Sequence, residues 1–157
     1  MERRMNPAKV FLRRYQGLAG REAALTRAID AALERATQTA VILKPDKVLS
    51  SPAEHDPLAR DVAEIVDACE TLEKVRADVR AALAEILSAI ESLPDERQKE
   101  LLTRRYINGD SFRDIMDAMH YAEAQTYVIH GRALLGINRW LQRRDAHGEH
   151  EHGNQQP

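Results

Sequence analysis

The chain has 157 residues and a formal net charge of −2, enough for one ordinary domain or two small ones and too near neutral for a strongly basic nucleic-acid binder. Its one cysteine, Cys69, rules out a disulfide framework within the chain. No apolar run reaches membrane-spanning length and Met1 to Met5 lack the apolar stretch of a signal peptide, so the expected setting is the cytoplasm, without a membrane partner.

Ala, Leu, Glu, Arg and Lys dominate, Gly and Pro are scarce, and no stretch alternates with the period of a strand. Residues of this kind lose little rotamer freedom in a helix, which predicts an all-α fold. The first helix starts at Pro7 behind Asn6, a residue type that caps helices. Phe11, Tyr15, Leu18, Leu25, Ile29, Ala32 and Ala36 follow at four-three spacing, with Glu22 the one polar interruption. That spacing is a coiled-coil seam, and it ends near Leu43 because Lys44 precedes a proline.

Residues 44–57 contain Pro45, Pro52 and Pro57 and read as a loop, with Val48 and Leu49 its large apolar residues. Asp56 and Pro57 open a second long helix. Its seam runs through Leu58, Val62, Ile65, Cys69, Leu72, Arg76, Val79, Leu83, Ile86, Ile90 and Leu93, broken only by Arg76. The segment 1–44 carries an excess of five positive charges and 45–94 an excess of six negative ones, as expected of two helices that lie against each other. Residues 1–93 thus read as a long antiparallel helical hairpin, or coiled coil. Small residues toward the end of the first seam leave apolar surface on the second, which predicts a homo-oligomer. Cys69 reads as a small buried seam residue, and Glu64, Asp67, Glu70 and Glu73 as a solvated face or partners of arginines on the first helix.

Three shorter helices are expected between 94 and 144. Pro94 to Arg97 start the first, Leu101, Leu102, Tyr106 and Ile107 give its apolar face, and Asn108 and Gly109 end it. Asp110 and Ser111 open the second, with Ser111 and Asp114 at capping-box spacing and Ile115, Met116 and Met119 as its inner stripe. After His120 and Tyr121, a last helix spans about 122–144, with Thr126, Ile129, Ala133, Ile137 and Leu141 inward and Trp140 expected to pack on the helix at 95–107. His130 lies near the inner side and reads as a packing or hydrogen-bonding residue. Residues 145–157 are polar and His-rich and read as a disordered tail.

Two helices joined by a short turn, packed on a third, form a helix-turn-helix unit. The outward residues early on the last helix are Glu123, Ala124, Gln125, Tyr127 and Val128. A glutamine can pair with adenine, a glutamate can accept from cytosine N4, and apolar side chains can touch a thymine methyl. Arg104, Arg105, Arg113 and Arg132 are the expected phosphate contacts.

The segment LPDERQKELLTRRYINGDSFRDIM, residues 93–116, resembles the opening of region 4 of sigma-70 factors, and MHYAEAQTYVIHGRAL, residues 119–134, resembles its recognition helix. The ending Tyr127, His130, Gly131, Arg132, Ala133, Leu134 is most similar to phage and prophage late-gene transcription regulators of the RinA and ArpU kind. Their layout, a helix, a Ser/Pro-containing loop, an acidic helix and a sigma-like domain, also matches. The resemblance implies a phage-encoded regulator in a bacterial host cell that binds double-stranded DNA and works with RNA polymerase. Departures from the pattern are His120 where glycine is usual, Ala122 where a serine caps the recognition helix, and Glu123, Ala124 and Val128 where relatives are often basic. They leave two alternatives open: a degenerate helix-turn-helix that contacts RNA polymerase, and a DNA-packaging accessory protein. No nucleotide-binding glycine loop, zinc ligand set or nucleophile–base pair is present in the sequence, so neither an enzyme nor a cofactor is expected.

Overall fold

The computed structural model describes residues 6–42 and 57–151, and all regular structure among them is helical. Five α-helices follow one another: α1 (Pro7–Ile42), α2 (Pro57–Glu91), α3 (Glu96–Leu102), α4 (Phe112–Met119) and α5 (Glu123–Glu151). A π-helical turn, Thr103–Asn108, continues α3. Of the expected 44–57 loop, only Pro57 lies within the described residues, where it opens α2. No described helix is long and apolar enough to cross a membrane.

The described helices divide into two compact units, one of Met1–Gly17 with Arg80–Pro157 and one of Leu18–Val79. The division falls within α1 and within α2. The first turns of α1 and the last turns of α2 share a core with α3, α4 and α5. A three-helix unit of about fifty residues buries little surface alone, and these two helix ends add to what it can bury.

In the unit Leu18–Val79, Ile29, Ala32 and Ala36 of α1 and Leu72 and Val75 of α2 are buried. Glu22 and Arg76, the polar interruptions of the two seams, meet there: Arg76 Nε donates to Glu22 Oε1 at 3.1 Å, and its Nη1 to Glu73 Oε1 at 3.0 Å. Arg35 and Glu64 form a second ion pair at 3.8 Å. Glu22 with Arg76 and Arg35 with Glu64 run in opposite order along the two segments, so the segments are antiparallel. Cys69, expected in the seam, is exposed, as is Val62. Leu72, itself in the expected seam, and Val75, next to Arg76, hold the covered side here.

In the other unit the core is one cluster. Ala8, Phe11 and Leu12 of α1, Ile86, Ala89 and Ile90 of α2, Leu93, and Leu101, Leu102 and Tyr106 join Ile115 of α4 and Ile129, Ala133, Leu134 and Ile137 of α5. Asn6 caps α1 by accepting from the Ala8 N–H at 3.0 Å. Asn138 of α5 accepts from the same N–H at 2.9 Å, and its Nδ2 donates to Asn6 Oδ1 at 3.1 Å. Trp140 packs here too, its ring 5.7 Å from that of Phe11. The expected packing of Trp140 on the 95–107 helix is thus corrected: the start of α1 takes that place. Gly136 lets α5 pass close to Leu93, which a β-carbon at 136 would strike.

Local signals set the short elements. Asp95 caps α3 through the Arg97 N–H. The π turn departs from the plain helix expected to Asn108. Bonds from i to i+5 bring residues five apart to one side, so Leu101 and Tyr106 both reach the core. Gly109 closes the turn with φ +83°, and Arg104 O accepts from the N–H groups of Gly109 and Asp110. The capping box at Ser111 and Asp114 forms in both directions, and its hydrogen bonds lower the pKa of Asp114. His120 ends α4 with φ +55°, a left-handed position that usually goes to glycine. At the far end α5 continues to Glu151, so residues 145–151 are helical where a disordered tail was expected. No proline interrupts them, and a helix already formed gains one bond per added residue, which offsets the roughly 1 kcal/mol cost of Gly148.

The pair of Asn6 and Asn138 ties α1 to α5 by hydrogen bonds that sequence distance alone does not suggest. Asn138→Ala is expected to lower unfolding stability by about 1–2 kcal/mol in urea titrations, the worth of such partly buried bonds. An unchanged midpoint would show that the clamp contributes nothing.

Candidate nucleic-acid interface

Helix α5 follows α4 after three residues, His120 to Ala122. The Met116 carbonyl accepts from the N–H groups of His120 and Tyr121, which fixes the direction of the exit. Ala122 has no side-chain oxygen to cap α5. Its carbonyl instead accepts from the Thr126 N–H at 3.0 Å and from Thr126 Oγ1 at 3.1 Å. Thr126 is fully buried, with Ile129 and His130 in the following turn.

Burial of that side leaves the other bare. Glu123, Ala124, Gln125, Tyr127 and Val128 are all exposed, and all lie in the first two turns of α5. They differ in surroundings. Tyr127 leans on Phe112 of α4, ring centroids 5.0 Å apart, and stays 48% exposed. Gln125, Val128 and Arg132 line a shallow groove whose other wall is Asp95, Arg97 and Gln98 at the start of α3. Arg97 holds Asp95 through Nε and Nη2 at 3.1 and 3.0 Å, and these bonds lower the pKa of Asp95. Sequence reasoning missed Arg97 and Gln98 as neighbours of Gln125 and Val128. The cap at Asp95 was legible, but the packing of α3 across α5 was not.

The four arginines expected at phosphates separate into two pairs. Arg113 on α4 and Arg132 on α5 are exposed and form no hydrogen bond or ion pair among the described residues. Arg104 and Arg105 are half-buried and engaged inside the unit. Arg104 Nε donates to Glu100 Oε1 at 3.0 Å, and the Arg104 guanidinium pairs with Asp110 at 3.7 Å. Arg105 donates to the Asp110 carbonyl at 2.8 Å and lies 4.9 Å over the Phe112 ring. Their reach is spent on closing the turn between the π segment and α4, a stabilising role rather than an open anion contact.

Behind the exposed face sits His130, as expected a packing and hydrogen-bonding residue. Its Nε2 shares a hydrogen bond with the Tyr106 hydroxyl at 3.1 Å, and the Phe112 ring meets it edge-on at 5.1 Å. Burial, then the positive charges of Lys9 and Arg105, push its pKa down to about 4. Burial likewise raises the pKa of Tyr106. Two neutral rings therefore stand under the first turns of α5 near pH 7.

Comparison with protein-family models, curated proteins and solved structures finds no match for the chain.

The folded His130 pKa of about 4 lies below its unfolded value of 6.5, so folding favours the neutral ring. Its contribution is complete above about pH 6.5 and is lost as pH falls toward 4, an effect of up to roughly 3 kcal/mol. His130→Gln, which keeps a partner for Tyr106, is expected to flatten this part of the acid limb. Urea midpoints at about pH 7 and about pH 4.5 test it; an equally steep acid loss in the variant would assign the slope elsewhere.

Proposed function

We propose that the chain is a sequence-specific DNA-binding transcriptional regulator of phage or prophage origin, with α3, α4 and α5 as a sigma region 4-like helix-turn-helix. The observation that carries this reading is the two-sidedness of early α5. Glu123, Ala124, Gln125, Tyr127 and Val128 are accessible on a helix whose Thr126, Ile129 and His130 are locked in a core. A helix held rigidly by its inner side can carry its outer side chains into a major groove without first being ordered. Gln125 reads adenine through a bidentate pair, Glu123 accepts from cytosine N4, and Ala124 and Val128 meet thymine methyl groups. Arg132 and Arg113 set the register on phosphates. Tyr127 reaches a base edge or sugar with one side of a ring whose other side rests on Phe112.

The long helices serve as the oligomerising part of this regulator, in coiled-coil fashion. Leu33, Val62 and Val66 in the unit Leu18–Val79 are each about half exposed, which is apolar surface suited to a second copy. A second reading has one specific observation in its favour. The tip of α5 carries an acid and two apolar side chains but no cation, a composition that suits a protein partner such as RNA polymerase.

Arg132→Ala is expected to weaken binding to all DNA sequences and to reduce the salt dependence by about one counterion. Gln125→Ala is expected to shift sequence preference by roughly 1–3 kcal/mol at one base pair. Selection from a random duplex library, followed by binding at several salt concentrations, separates the two effects. If the wild-type protein binds no duplex in a salt-sensitive way but captures RNA polymerase, the protein-contact reading replaces this one. Light scattering of the full chain at micromolar concentration is expected to give a dimer or larger; a monomer would refute the oligomerising role.

A further inference from the structure

Arginines continue along α5 well past the residues placed in the groove. From Ala124 to Arg144 the helix contains no Asp or Glu and four arginines. Arg144 is occupied, pairing with Glu85 and Asp145. Arg132, Arg139 and Arg143 are exposed and form no ion pair among the described residues. At 3.6 residues per turn, Gln125, Arg132, Arg139 and Arg143 fall within an arc of about 40°, so the three cations extend the line of a reading residue.

Two open depressions flank this line, one lined by Arg97, Gln125 and Arg132 and the other by Pro94, Arg139 and Arg143. The carboxylate of Asp95 is the one acid lining them, and Arg97 holds it. Arg132 also acts on Asp95, and Arg139 shares a further depression with Asp145, but Arg97 and Arg144 already hold those two acids, so the edge keeps a net positive charge that attracts anions.

We infer that Arg132, Arg139 and Arg143 form a continuous phosphate-tracking edge that follows one strand of a DNA duplex from the major groove outward over the flanking backbone. The assignment rests on the DNA-binding reading and deepens it. From Gln125 the helix advances about 21 Å to Arg139 and about 27 Å to Arg143, each more than the roughly 12 Å width of the major groove. The outer two arginines therefore lie beyond the groove when the first turns of α5 are inside it, where the backbone is the only surface to meet. Guanidinium groups suit that task, because their forked donors match phosphate oxygens. The edge also supplies the counterion release that the cation-free tip lacks.

The test uses the full chain with Arg139→Ala/Arg143→Ala, and Arg80→Ala as a comparison, since Arg80 is an exposed arginine on α2 and off this line. Affinity for a random-sequence DNA duplex is measured by fluorescence anisotropy across a salt series, with folding checked by circular dichroism and thermal midpoint. The double variant is expected to lose about two in the slope of log K against log salt and on the order of tenfold in affinity per arginine, with Arg80→Ala near wild type. Its sequence preference in a library selection is expected to stay that of the wild type. If the wild type binds the duplex and the double variant shows the same slope, the edge is refuted while the DNA-binding reading stands. A loss equal in Arg80→Ala refutes it as well, by assigning the effect to overall charge. Wild-type binding to phosphatidylserine vesicles without salt-sensitive binding to the duplex would overturn both the edge and the reading beneath it.

Discussion

Burial of one side of α5 is the constraint on which the functional part of the chain depends. Thr126, Ile129, Ala133, Leu134 and Ile137 lie beneath side chains from α1, α2, α3 and α4. Each apolar side chain removed from water contributes on the order of 1.5–3 kcal/mol, so rotating α5 about its axis would forfeit several such terms together. The rotation is therefore fixed, and with it the identity of the residues that meet solvent. Glu123, Gln125, Val128, Arg132 and Arg139 are exposed because the opposite side is committed.

The cover over that inner side comes from far along the chain. Leu12 and Ile90 stand with Leu101 and Ile137 in one cluster, and the Asn6–Asn138 pair pins the first turn of α1 to the middle of α5. An isolated 94–144 segment would lack these contributions. The π turn at Thr103–Asn108 serves the same end, since it carries Tyr106 inward to meet His130 and leaves Arg104 and Arg105 to fasten the following turn. Much of the polar chemistry in this unit is thus structural: the neutral His130 ring, the capping box at Ser111 and the tethered arginines all hold α4 and α5 in place.

What could be read from the sequence follows from the range of each physical signal. Pro57, the box at Ser111 and Asp114, and Gly109 act on the backbone within a few residues, and the elements they delimit formed where expected. The inward stripe of α5 was legible because 3.6-residue periodicity needs no knowledge of the partner. Cys69 was misplaced because a repeat marks where a seam can run and not which of its positions a facing side chain covers. Trp140 was given the wrong neighbour because that outcome depends on which distant element arrives, whereas Arg104 and Arg105 are engaged close along the chain, by Glu100, Asp110 and Phe112. No local pattern tells an arginine that will face solvent from one that will close a turn. Glu22 and Arg76 each broke a seam when read singly, and only their meeting across the two segments explains why both sit there.

The division of labour along α5 also bears on how discrimination and affinity separate. Its first two turns offer hydrogen-bonding and apolar groups with no cation, so on the proposed reading they add little to counterion release and respond mainly to which base pair they meet. Arg132, Arg139 and Arg143 lie further along, on exposed positions that form no ion pair among the described residues. A reading head built this way gains little from non-specific DNA through its tip, because the attraction common to all sequences resides elsewhere on the helix. Since the inner side of α5 runs through both regions, neither can turn without the other, and on the proposed reading a register set by the arginines would pass rigidly to Gln125 and Val128. Rigidity of the core, rather than charge at the tip, then becomes the property that makes base discrimination feasible on a helix so sparsely basic at its start.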